Sequence, residues 1–160
     1  MRFFKDLAFA LAILLGSTLV QAGAIVSRAV LRGGTISQPT SGATLTPGQE
    51  FTFQYLRTNF CNTGYSKISV YLLATQPTAS DVSASGTIDN ALFSFGDFLY
   101  ANFGLPPMTT PPPPPATFTA PILSEQDGSE LYFAIVESYR SCPPDGHTDF
   151  GLSSIPVQYA

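Results

Sequence analysis

The stretch Glu130-Leu131-Tyr132-Phe133-Ala134-Ile135-Val136-Glu137 decides the fold. In an extended chain successive side chains point to opposite faces. Leu131, Phe133 and Ile135 therefore share one face, and Tyr132, Ala134 and Val136 share the other. Both faces are apolar, which predicts a strand covered on both sides. The same period recurs outward from it. Ile68, Val70 and Leu72 alternate with Ser69, Tyr71 and Leu73, and Phe51, Phe53 and Tyr55 alternate with Thr52, Gln54 and Leu56 just after a Pro47-Gly48 turn. Weaker strand candidates are residues 26–36, 88–95, 118–123 and 150–158. Pro156, inside the last of these, suits an edge position, where its missing N–H interrupts no ladder. Residues 89–103, with Phe93, Phe95, Phe98, Tyr100 and Phe103, fit either a strand pair or a short helix. About seven short strands with turn signals between them predict an all-β fold, an immunoglobulin-like antiparallel β-sandwich.

Residues 105–115 break the pattern with Pro106, Pro107 and the run Pro111 to Pro115. Prolines favour an extended polyproline segment and donate nothing to a ladder. This segment reads as a stiff crossover between the two halves of one sandwich domain spanning residues 23–160. A ligand for a proline-binding module is the competing reading.

The chain has 160 residues, 44% hydrophobic and 11% charged, with a formal net charge of −4. That is enough apolar material for one core. It lacks the concentrated basic face that nucleic acid requires, and no polybasic cluster addresses anionic lipid. Residues 1–22 have the layout of a signal peptide: Arg2 and Lys5, then an apolar run from Leu7 to Leu15, then Val20-Gln21-Ala22 as a small-residue cleavage site. The run is short for a membrane span, which takes about 20 residues. Secretion, with no membrane contact after signal removal, is the expectation. In an oxidising compartment Cys61 and Cys142 are expected to pair as a disulfide.

Few side chains offer chemistry. Asp145, His147 and Asp149 form the one local ligand cluster, a weak metal candidate beside the plainer reading of a polar loop. His147, the only histidine, is also the residue through which a small hydrolase or metal-dependent enzyme would work. The acids Glu50, Asp81, Asp89, Asp97, Glu125, Asp127 and Glu130 are scattered, and nothing marks a catalytic pair. Glu137 stands out in an apolar strand beside Tyr139 and Arg140, where an ion pair with an arginine is expected. Tyr65, Tyr71, Tyr100 and Tyr132 are weak candidates for a sugar-binding platform, set against a role as core or cross-strand partners. No catalytic residue and no cofactor is assigned.

From Thr35 to Tyr55 the chain reads TISQPTSGATLTPGQEFTFQY. This resembles the opening of the Kre9/Knh1-like module of the Ser/Thr-rich, GPI-anchored cell-wall family of fungi. The stretches from Asn59-Phe60-Cys61 through Leu73, and from Glu130 through Ser141-Cys142-Pro143 to Tyr159, resemble small secreted proteins of basidiomycete fungi. The resemblance implies an immunoglobulin-like module at or beyond the cell wall, without catalytic residues. The chain lacks the long Ser/Thr-rich stalk and anchor signal of wall-attached members. The expected function is a secreted, non-enzymatic cell-wall or extracellular-surface module that binds polysaccharide or a surface protein. The alternative is a secreted effector or structural protein acting through protein contacts, by an exposed sheet edge or by the residues 93–103 aromatics, which would favour it if they are exposed together.

Overall fold

A computed structural model describes residues 30–143 and 146–160. The expected signal peptide and its cleavage point lie outside the described residues. Ten strands are present among the described residues: β1 (Val30–Arg32), β2 (Thr35–Gln38), β3 (Thr44–Leu45), β4 (Glu50–Thr52), β5 (Gln54–Leu56), β6 (Tyr65–Leu73), β7 (Phe93–Ala101), β8 (Thr117–Thr119), β9 (Ser129–Cys142) and β10 (His147–Tyr159). Two single 3₁₀ turns, Ala79–Asp81 and Ser124–Gln126, are the only helical elements among the described residues.

The fold is all-β, with the strands arranged in multiple sheets as a sandwich. One layer is a sheet in the order β1-β10-β9-β6-β7, with β3 pairing a separate part of β10. The other layer consists of two ribbons, β2 with β5 and β4 with β8. The strands exceed the expected seven because several are cut short where the chain changes partner. Phe53 separates β4 from β5, and its N–H donates to the Ala116 carbonyl at 2.8 Å. The expected alternation of residues 51–56 thus spans two short strands in different ribbons.

β9 lies between β10 and β6, and Leu131, Phe133, Ala134, Ile135 and Val136 are completely buried. Its first face meets the second layer. There Phe51, Phe53, Phe95, Phe118 and Phe133 stack with ring centroids 4.9–6.1 Å apart, mostly tilted or edge-on, the arrangement aromatic quadrupoles favour. Its second face is half covered. Tyr71, Leu73, Ala134 and Val136 are sealed by Ile88, which plugs in from the connection between β6 and β7. Residues 89–103 resolve into the single strand β7 rather than a strand pair or helix, and the 88–95 candidate becomes a strand only from Phe93 onward. The 118–123 candidate ends at Thr119.

Pro156 lies in an interior strand, opposite Tyr132 of β9. It is tolerated there because it falls in the gap between the segments paired to β1 and β3. Its carbonyl accepts from Gly42 N–H at 2.8 Å, so its nitrogen, which carries no hydrogen, faces that same side, away from β9, and no bond of the β9 ladder is lost. The polyproline run leaves β7 in the larger sheet and delivers the chain to β8 in the opposite layer. On the way Leu99 N–H of β7 donates to the Pro112 carbonyl at 2.9 Å. Cys61 and Cys142 form a disulfide with Cα atoms 5.0 Å apart, closing a separation of 81 residues, a spacing in the usual range for a bridge.

Candidate functional site

On its second face the large sheet is open where the plug of Ile88 ends. The strand register puts Leu99 of β7, Lys67 of β6, Ser138 of β9 and Phe150 of β10 side by side in one row. Two residues along, alternation brings Tyr65 and Arg140 to the same face. Two hollows of about 480 and 340 Å³ lie over these rows and share Lys67 and Arg140. Together they make a trough. One end is walled by Tyr65 and Pro111 of the polyproline run, the other by Ser85 and Thr148. Lys67 is held in place by Asp97, with Nζ 2.7 Å from a carboxylate oxygen, and the Ser69 hydroxyl donates to the other oxygen at 2.6 Å. Partial burial works against the Asp97 charge. Lys67 and Ser69 outweigh it and hold the carboxyl below its ordinary range.

The densest polar cluster lies on the core side of β9, at the sandwich end that carries the disulfide. Glu137 is fully buried. Its Oε2 accepts from the Tyr55 hydroxyl at 2.9 Å and from Thr58 N–H at 3.2 Å, and its Oε1 accepts from Asn59 N–H at 3.2 Å. The hydroxyls of Thr58 and Tyr139 lie 2.6 Å from each other and 3.3 and 3.4 Å from Oε2, so one more donor reaches the carboxylate. Gly34 N–H donates to the Tyr55 oxygen at 2.7 Å. Burial, reinforced by the nearby Glu137 charge, raises the Tyr55 phenol far above its usual range. Burial likewise pushes Tyr139 up to about 12, with Glu137 adding to the rise and Thr58 opposing it. The partners of Glu137 among the described residues are hydroxyls and amides, not the expected arginine. Arg57 instead lies over the Tyr100 ring, 4.8 Å from its centroid, and donates from Nε to Asn102 Oδ1. The cluster ties residues 55–59 to β9, and with the disulfide it fixes the loop of residues 57–64.

The four candidate tyrosines are not brought together. Tyr65 borders the trough and donates its hydroxyl to the Pro106 carbonyl at 3.1 Å. Tyr71 is buried in the second-face cluster, which corrects its reading as a platform residue, since no ring can stack on it. Tyr100 packs against the core beneath Arg57. Tyr132 belongs to the edge of the second-face cluster and donates to Glu130 at 3.0 Å.

Asp145 lies outside the described residues. His147 Nε2 and an Asp149 oxygen are 2.9 Å apart. These two and the Cys142 sulfur lie within 4.8 Å of one another, but that sulfur is committed to the disulfide. Two of the three candidate metal ligands are therefore adjacent, and the nearby sulfur adds no thiolate.

The aromatics of residues 93–103 do not form an exposed group. Phe95, Phe98 and Tyr100 pack into the core, while Phe93 and Phe103 sit at opposite ends of the stretch. Phe103, Phe60, Leu105 and Met108 are left exposed by 72, 63, 40 and 44%. Asn102, just after β7, is tied to the start of β6 through bonds to the Thr63 carbonyl and the Ser66 hydroxyl. Sequence reasoning missed Lys67 and Arg140. Alternation along β6 and β9 marks each as an outward residue, but nothing local pairs residue 67 with residue 138. No protein-family model, curated protein or solved structure matches the chain.

Proposed function

We propose that the protein is a secreted, non-enzymatic module that binds polysaccharide at a cell wall or extracellular surface, and that the trough over β6 and β9 is its binding face. The observation that carries this reading is the open half of the sheet: an elongated trough whose aromatic and aliphatic side chains can cover sugar C–H surface while hydroxyls on its rims meet sugar hydroxyls. The resemblance to the fungal cell-wall module and the signal-like residues 1–22 support the location.

The test is co-sedimentation of purified protein with insoluble β-glucan, chitin, cellulose and calcium-gelled polygalacturonate, scored as depletion from the supernatant. Saturable depletion that weakens in Tyr65→Ala is the expected result. No depletion by any polysaccharide, neutral or charged, overturns the reading.

A second reading is favoured by one observation, the exposure of the large apolar side chains of Phe60, Phe103, Leu105 and Met108. Large apolar side chains left in water mark contact surfaces for proteins where they form a contiguous patch. On that reading the module works through a protein partner, and replacing Phe60 and Phe103 by Ser abolishes its activity while the trough variants do not.

A further inference from the structure

We infer that the trough selects acidic polysaccharide, a chain of uronic-acid type, over neutral glycans; this rests on the polysaccharide reading above. Of Arg57, Lys67 and Arg140, the basic side chains described, the last two project into this one trough. They do so on a chain of net charge −4, where a local positive site is out of keeping with the rest of the surface. Asp97 compensates Lys67 and orients it. Arg140 is exposed and makes no ion pair with any described residue. Its guanidinium is the uncompensated charge of the trough, with the fork geometry that grips a carboxylate through two parallel hydrogen bonds.

Shape separates a sugar acid from a bare anion. The row from Leu99 to Phe150 crosses three inter-strand spacings, about 14 Å in all, so an extended chain fits and a compact ion leaves most of it empty. Leu99, Pro111 and the Tyr65 ring offer apolar surface at one end, and Ser85 and Thr148 offer hydroxyls at the other. Lys67 and Arg140 are diagonal neighbours on adjacent strands, about 7–8 Å apart at their backbone attachment. That separation lets them engage acid groups on different rings of one chain.

The test measures binding of the purified protein to polygalacturonate, with neutral β-glucan, chitin and cellulose alongside and polyglutamate as a competitor carrying carboxylates without sugar rings. The expected result is saturable polygalacturonate binding that weakens as salt is raised, falls about tenfold in Arg140→Ala, and resists polyglutamate. Arg140 is exposed, so its replacement leaves the fold intact, which an unchanged thermal transition verifies. Binding to neutral polymers but not to polygalacturonate overturns the acidic selectivity and leaves the polysaccharide reading standing. Equal binding by Arg140→Ala, or full displacement by polyglutamate, overturns the inference as well. Absence of binding to every polymer overturns both.

Discussion

Glu137 shows how one side chain acts when it is removed from water. A carboxylate with no exposure is costly unless its lone pairs are filled. Here the Tyr55 hydroxyl, two backbone amides and one further hydroxyl fill them. Replacing Glu137 by Gln turns one oxygen into a donor facing donors, and is expected to cost about 2–4 kcal/mol. Tyr55→Phe removes one donor from the carboxylate and the acceptor of Gly34 N–H, with an expected loss of about 1–3 kcal/mol. Urea denaturation of both variants checks this through the midpoint at constant slope. A Gln variant as stable as the parent would show that the ionised carboxylate is not what organises the cluster. The sequence marks Glu137 as out of place in an apolar strand. Most of its partners are not legible there, because they come from residues 55–59, about 80 positions away in the case of Tyr55 and Thr58.

At the scale of elements, two devices hold the strands in their places. The disulfide joins the loop after β5 to the end of β9. In the chain-entropy model a closed loop of this length stabilises by about 4–5 kcal/mol. The double variant Cys61→Ser/Cys142→Ser is expected to lose stability of that order in chemical denaturation. The intact native protein is expected to leave a thiol reagent unreacted until it is reduced. The second device is the polyproline run. β7 is the last strand of its sheet, and an open edge invites pairing with another chain. Pro112 accepts from Leu99 but has no N–H to pass the ladder on. Exchanging Pro111 to Pro115 for Ser and Thr supplies donors and removes the stiffness. The variant's apparent mass by light scattering is then expected to rise with concentration while the parent's does not. Parallel behaviour of the two would remove the run from edge protection. Alternation made β6 and β9 readable, because each is a long strand with apolar residues on both faces over much of its length. The short strands β3, β4 and β8 were not separable locally, since their ends are set by changes of partner such as that at Phe53.

For the whole molecule, the two buried phenols around Glu137 link stability to alkaline pH. An unfolded tyrosine titrates near pH 10. Tyr139 titrates at about 12 in the folded protein, and Tyr55 is raised further still. Below pH 10 both states hold these protons and the contribution is complete. Above it the unfolded chain releases protons that the folded chain keeps, so unfolding is favoured as pH rises. Stability is expected to be flat with respect to these groups up to about pH 9 and to fall from pH 10 to 12. Phenolate absorbance in the native protein should lag behind that of the denatured chain. Denaturation midpoints across this range, compared with those of Tyr55→Phe, test the link, and a midpoint unchanged from pH 9 to 12 would break it. The sequence alone determined the all-β class and the burial of the stretch 131–136 of β9 on both faces, because period two and apolarity are local properties of a strand. The disulfide between its two cysteines was an expectation of the sequence that the structure bears out. Only the tertiary structure decided which strand lies beside which. That register sets Lys67 next to Ser138 and in reach of Arg140, leaves half of one sheet face open, and delivers four donors to Glu137. Register between distant strands is chosen by the packing of the whole core, and no window of the sequence contains it.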